Sequence, residues 1–481
     1  MKKLYLNSIS IIITLIVILF ACKKTENYFR APGAGGTLTS SIAGRVTDLN
    51  NLPINNALVS VGTITAKTNS DGQFFINNVG LNNDLGFVSI SKAGYFTGSR
   101  TFFVNHNSIN TANTFSDPGR PSHHTNIIYH VNIKLIPKNI SGAFASSSGG
   151  TINVWGGGTV VINAGSIVNA TTGSTYNGNV SVSTFYLNPA DIRINEYMPG
   201  DLLGITVNNE RRILQSFGMI AIEMNDASGQ KLQLAHGKTA TINIPIPPNL
   251  QATAPASIPL WYFDEDKGLW KEDGIARRQG NIYTGTVSHF SFWNCDLPAK
   301  YVKLDVTFKD RKGIPLANHL VTITSIVYGT RGGYTDNEGT VSGLIPANET
   351  LVLKVFDQCH EIIYTSNIGP FSGDVNLGNI IITTSPGQPN ITVSGNAVDC
   401  NNIAVTNGYV MVNNGTNYFS APLNKGNFTI TFPVCTGMNN LIKLYIIDDG
   451  NSRQSEVQII NINNGNQNIG QITACIDFFN L

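Results

Sequence analysis

The chain has 481 residues, of which 13% are charged, with a formal net charge of +1; charged residues are about half as frequent as in an average globular protein. That balance leaves no basic stripe for a phosphate backbone and argues against nucleic acid as a partner. The length calls for several domains.

In chain order, the first element is a leader. Lys2 and Lys3 precede the apolar run "IIITLIVILF" at 11–20, too short for a spanning helix, which needs roughly 20 apolar residues. The run ends in "LFAC", where Leu19, Ala21 and Cys22 resemble the lipobox of bacterial lipoproteins; Phe20 departs from its usual small or aliphatic residue. The resemblance implies cleavage before Cys22 and acylation of its thiol, so that residues 1–22 are a signal ending in a lipidated cysteine. The membrane would then be a partner through the lipid anchor. Residues 23–41, rich in Gly and small polar residues, read as a flexible tether. Lys23, rather than Asp, after the cysteine argues against retention at the inner membrane and favours the outer membrane, where display at the cell surface is expected.

Beyond the tether, helical periodicity is nearly absent. Alternating runs such as "ALVSVG", "HVNIKLIP" and "LVTITSIVYG" are predicted strands, and "NSDGQF", "DNEGT" and "NKGNF" are predicted hairpin turns whose Gly supplies positive φ. Aligning the turns exposes a repeat. Strand, polar turn, Val/Ile strand and Asp/Asn-Gly hairpin recur from 44, from 306 and from 393. The expected architecture is all-β: tandem transthyretin-like or Ig-like sandwiches around a larger β-domain. The expected boundaries are 42–137, 138–298, 299–385 and 386–481, in a row.

Gly44, Val46, Asp48, Pro53, Ala57, Val59, Thr68, Asp71, Gly72, Phe74 and "SKAGY" at 91–95 resemble a carboxypeptidase regulatory-like domain, over 41–137 with an insertion near 105–128. The resemblance implies a seven-strand sandwich and says nearly nothing of chemistry; the modules from 306 and 393 match it progressively less well. In the second module, "YMPGDLLGI", "SFGMIAIEMNDASGQKLQL" and "PLWYFDEDKGLWKEDG" resemble the β-domains of cartilage intermediate layer proteins. More distantly they resemble the ZU-type domains of netrin receptors and ankyrins and the GAIN domains of adhesion receptors. Here "WYFDEDKGLW" reads as a hairpin with Trp261 and Trp270 flanking an acidic turn. "NIYTGTVSHFSFWN" reads as the returning strand, before a linker "DLPAK".

That strand holds the sharpest candidate site, His289-Phe290-Ser291. In self-cleaving members of the related class, the serine hydroxyl attacks the preceding carbonyl. The resemblance therefore implies Ser291 as nucleophile, the Phe290 carbonyl as electrophile and His289 as general base. The competing reading is that Phe290, Phe292 and Trp293 are core aromatics. Weaker candidates are His123, His124 and His130 for a metal, "FDEDKG" (263–268) and "NSDG" (69–72) for Ca²⁺, and Trp155, Trp261 and Trp270 as a sugar-stacking platform. Bland readings (loop histidines, hairpin turns, core tryptophans) account for each more simply. "GGGT" at 156–159 lacks a following helix or Lys-Ser/Thr and is no phosphate loop.

Five cysteines follow the leader: Cys295, Cys359, Cys400, Cys435 and Cys475. An exported chain permits disulfides, the odd number leaves a thiol over, and spacing alone leaves the pairing open. No zinc spacing, cofactor motif or enzyme triad stands out. The sequence therefore points to a non-enzymatic envelope lipoprotein for adhesion or structure, with envelope proteins or glycans as partners. The alternatives are a glycan-binding accessory lipoprotein of a polysaccharide-uptake system, and a protein that cleaves itself at Phe290-Ser291.

Overall fold

The computed structural model of the chain describes residues 38–81, 85–104, 127–191, 193–383, 390–413, 418–435, 439–448, 450–451 and 453–477. Cys22, His123 and His124 lie outside these residues. All described residues belong to one compact unit, Pro32–Leu481, and the architecture is all-β.

The repeat read from the turns is a repeat of topology. In three modules the first strand (Leu38–Asp48, Tyr301–Asp310, Asn390–Asp399) is the middle of a three-stranded arrangement. It runs antiparallel to the fourth strand (Gln73–Leu81, Thr340–Pro346, Asn427–Pro433). It runs parallel to the last (Ile128–Leu135, Val375–Ile382, Gln467–Asp477). The facing sheet has the order third, second, fifth, sixth in every case. Its second strands are Leu58–Val61, Leu320–Ser325 and Gly408–Asn413; its fifth are Leu85–Ser91, Leu351–Phe356 and Leu441–Asp448. The C-terminal module adds a three-residue strand, Arg453–Ser455, that pairs with both its fifth and its last strand and joins the sheets.

Local chemistry explains why three divergent sequences close the same way. After each first strand an aspartate folds the chain back: the Oδ1 of Asp48, Asp310 and Asp399 accepts backbone N–H bonds from the residues two and four positions on, at 2.8–2.9 Å. Before each fourth strand stands a glycine with positive φ, Gly72, Gly339 and Gly426. A Cβ on Gly72 would lie 2.2 Å from the Val46 carbonyl, and one on Gly339 2.4 Å from that of Phe308. The alternating apolar residues then meet between the sheets. Val46, Val59 and Ile133 do so in the first module, and Val306, Leu353 and Val393, Val410 do so in the later two. Each such side chain contributes about 1.5–3 kcal/mol on burial.

The second module, Ile140–Ala299, is one thirteen-stranded sheet curled round its own core. Its longest strand, Arg211–Asn225, pairs with Asn179–Leu187 and Phe292–Ala299. The hairpin expected around the acidic turn forms between Ser257–Asp264 and Leu269–Gln279, with Gly268 at φ 65. Two expectations fail here. The returning strand is two strands, Ile282–Val287 and Phe292–Ala299, separated by a bend at 288–291. "DLPAK" is no linker: Asp296–Ala299 is strand, and Tyr301 opens the next one.

Nor are the modules simply in a row. The first touches all the others: Lys134 meets Glu196 at 2.5 Å in the second, Ile128 N–H donates to Asn337 in the third, and Asp71 meets Lys443 at 2.6 Å in the fourth. Around that last contact Phe75 packs on Tyr409 at 4.7 Å and joins Met411, Tyr445 and Ile447 in an apolar cluster. A disulfide, Cys359–Cys435, staples the third module to the fourth, and Cys400–Cys475 closes the fourth on itself. The thiol left over is Cys295, buried in the second module.

Candidate functional site

The bend at 288–291 carries the chain from a strand paired with Ala240–Pro245 to one paired with Arg211–Asn225. Phe290 points into the core at 3% exposure, while His289 and Ser291 stay half-buried. The imidazole of His289 lies 4.6 Å from the Tyr262 ring and 5.1 Å from that of Trp293, ring centre to ring centre. Burial lowers its basicity, with Asp273 opposing, so that it is held neutral. The His289 carbonyl accepts from the Trp293 indole N–H at 3.0 Å.

The Phe290 peptide is gripped from one side. Gln233 Oε1 accepts its N–H at 2.7 Å and Gln233 Nε2 donates to its carbonyl at 3.0 Å, so one amide side chain does what a neighbouring strand would do. Gln233 had no signal in the sequence, since it lies on the distant strand Lys231–Leu234.

For cleavage, this arrangement supplies a neutral base nearby and a donor on the carbonyl that would become an oxyanion. The serine is turned elsewhere: Ser291 Oγ donates to the Phe292 carbonyl, the one after it, at 3.1 Å. No hydrogen bond joins His289 to Ser291, and residues 288–291 have trans peptide bonds and no positive φ. The structure thus places the three residues on one bend without linking base to nucleophile.

Several buried charged groups lie at the module junctions. Asp296, fully buried, accepts from Asn294 Nδ2 at 2.7 Å through Oδ2, and Ser216 Oγ donates to Asn294 Oδ1 at 2.7 Å. Burial holds the Asp296 carboxyl well above the usual carboxylate range, despite Ser216 and Arg331. Arg331 reaches in from the third module and donates to the Leu202 carbonyl at 3.1 Å and the Leu214 carbonyl at 2.6 Å. Arg100 reaches in from the first, donating to the carbonyls of Gly200 and Asn195. Burial lowers both guanidinium groups, and Asp201 counters it for both.

The other sequence candidates are spread through the fold. His130 sits in the last strand of the first module with Nδ1 buried and unpartnered, and burial lowers its imidazole to about 4. Asp264 spends its Oδ1 on the N–H groups of its own turn and its Oδ2 on Lys271 at 2.9 Å. Asn69 Oδ1 accepts from the N–H groups of Asp71 and Gln73, and its Nδ2 donates to Tyr445. Trp261 and Trp270 are fully buried where the first two modules meet, beside Phe96 and Ile136, whereas Trp155 is 60% exposed. The three tryptophans form no shared platform.

No family model matches the chain. Human cartilage intermediate layer protein 2 is 27% identical over 113 residues, which are 23% of this chain and 9% of that protein. The chain thus spans less than a tenth of that relative. Among solved structures, the shaft pilin SpaA of Lactobacillus rhamnosus GG aligns with a TM-score of 0.20 at 7% identity, over 37% of this chain and 98% of its own. A DUF3823 family protein from Bacteroides ovatus aligns with a TM-score of 0.16 at 11% identity, over 34% of this chain and 100% of its own. TM-scores this low do not establish a shared arrangement of modules.

Proposed function

We propose that the chain is a non-enzymatic, lipid-anchored protein of the bacterial cell envelope, displayed at the outer-membrane surface as a structural or adhesive scaffold. The observation that carries this reading is where the perturbed groups sit. Catalytic groups are expected in a cleft open to substrate; Arg100 and Arg331 are instead buried where modules meet and bond to carbonyls of the second module, and buried Tyr334 of the third bonds to Asn132 of the first. The lipobox-like "LFAC" supplies the anchor, and no described helix is long and apolar enough to cross a membrane. The test has two parts. A fatty-acid analogue should label the wild type and not Cys22→Ala, and protease added to intact cells should remove the folded part. An unlabelled wild type, or a chain that only lysed cells yield to protease, would overturn the reading.

Exposed Trp155 favours a second, narrower reading, that of a glycan contact. Trp155→Ala should then abolish saturable binding on a glycan array, and a wild type that binds no glycan rules the contact out. Cleavage at Phe290-Ser291 has its own readout: two fragments under denaturing conditions, replaced by one full-length band in Ser291→Ala.

A further inference from the structure

The second and third strands of each sandwich form the same hairpin, but the chemistry of its tip differs between modules. In the first module, Leu58–Val61 and Ile64–Lys67 are joined by Gly62 and Thr63, both exposed. In the fourth, Gly408–Asn413 and Tyr418–Pro422 flank the sequence "NGTN" at 414–417. Both tips use the small polar residues that turns favour. In the third, Leu320–Ser325 and Gly329–Tyr334 are joined by Ile326, Val327 and Tyr328. Ile326 is 98% exposed and Val327 51%, a run that a turn facing water does not call for.

The backbone of this tip is satisfied from inside the protein. The Ser325 hydroxyl accepts the N–H groups of Val327 at 3.0 Å and Tyr328 at 2.9 Å, and donates to Glu349 at 2.6 Å. Gln215 and Asn195 of the second module donate to the carbonyls of Val327 and Thr330. From Leu320 to Thr330 no residue is charged, and Arg331 turns inward to the carbonyls of Leu202 and Leu214. The tip thus offers apolar side chains while these polar backbone groups are bonded without water, which is what entry into a lipid boundary requires.

We propose that Ile326, Val327 and Tyr328 form a second membrane contact, resting on the lipid anchor proposed above, and that the occupant is the surface of the bilayer holding that anchor. Three side chains are too few for a protein partner, since a stable interface covers about 800 Å² on each side. A bilayer surface takes single side chains: Ile326 and Val327 enter the acyl edge and Tyr328 stays at headgroup level. The chain before the fold is long enough. Residues 23–37 join Cys22 to Leu38 and span at most about 50 Å when extended. Near the start of the first strand Ser41 pairs with Ile128, whose N–H donates to Asn337. Asn337 follows Gly329–Tyr334 at the end opposite the tip, so the tip stands about one strand, roughly 20 Å, further on.

Quenching by lipid tests the contact on the full-length acylated chain, reconstituted into phosphatidylethanolamine–phosphatidylglycerol vesicles with brominated acyl chains. A fluorophore on Val327→Cys should be quenched at least about fivefold more than one on Thr172→Cys, an exposed turn of the second module, because an interfacial segment sits about 5–10 Å into the headgroup and acyl boundary. The later native cysteines do not compete for label, since four are paired and Cys295 is buried. Adding Ile326→Asp to Val327→Cys should abolish the excess while the melting curve stays in place, and adding Ile326→Leu should preserve it. Equal quenching at both positions overturns the proposal. So does an Ile326→Asp variant quenched like its parent, which would mean proximity without insertion. Flotation reads the anchor separately: a chain that floats with the vesicles yet shows no excess at 327 sinks the contact alone, whereas a chain that stays off them sinks the anchor and the contact with it.

Discussion

The first and third modules have the same seven strands in the same order, yet they do not have the same core. Ile128–Leu135 is buried along almost its whole length, while its equivalent, Val375–Ile382, is buried at one residue, Ile382. The difference is not in strand propensity, since "IYHVNIKL" and "VNLGNIII" both suit a strand. It comes from neighbours: the second and third modules lie against the first. Topology therefore belongs to the module, whereas the inside belongs to the assembly.

Mutations can break that comparison. The largest loss is expected at the junction. Arg331→Ala removes a buried guanidinium that satisfies two carbonyls beside Asp201, and denaturant titration should show a loss of about 3–5 kcal/mol. A loss below 1 kcal/mol would mean that the junction does not hold the third module. Next, Ile133→Ala in the first module, at 2% exposure, should cost about 2–5 kcal/mol. Ile381→Ala in the third, at 53%, should stay within about 0.5 kcal/mol. Equal costs would sink the claim that neighbours define the core.

Acid should sharpen the contrast, because the two modules carry buried groups of opposite sign. His130 is held at about 4 by burial, against an ordinary value near 6.5. The unfolded chain therefore takes up the proton first. The stability His130 lends is whole above pH 6.5 and falls toward pH 4, by up to about 3 kcal/mol. Asp336, in the third module, is raised by burial to about 6. Its contribution is whole below its ordinary value and is lost as pH rises through 6. Thermal unfolding between pH 6.5 and 4 should thus fall less steeply in His130→Gln than in wild type. An unchanged slope would show that His130 is not held neutral.

The finest ranking concerns the shared turn. Gly72→Ala and Gly339→Ala each meet a carbonyl oxygen as well as an unfavourable φ and should cost about 2 kcal/mol or more. At Gly426 a Cβ would meet the Ala404 Cβ at 2.9 Å, but the carbonyl oxygen of Ala397 stands 3.2 Å off, so Gly426→Ala should cost less than the other two. Calorimetry of the three variants would reveal the ranking.

These contrasts mark what the sequence could show. The Asp48, Asp310 and Asp399 turns and the Gly72 family were legible because their chemistry is local, within a few residues of chain. The bend at 288–291 was missed because its one local trace is a change of apolar parity, from Tyr283 and Val287 to Phe290 and Phe292, and because Gln233, which takes the place of a strand partner, lies more than fifty residues upstream. Arg331 and Arg100 carried no signal, since a lone arginine in a strand reads as surface until another module closes over it. Cysteine parity correctly required one thiol to be left over, yet which one depended on Cys359 and Cys435 meeting across two modules.

That remaining thiol has a consequence for how the chain matures. Cys295 stands in the last strand of the second module, at 0% exposure, and burial and nearby Asp296 raise its thiol well above the ordinary value. If the modules fold in chain order, as domains generally do, that sulfur is buried before Cys359, in the next module, is available, and the four later cysteines search for partners without a fifth competing. Burial would then work as a timetable in which the order of closure protects the pairing.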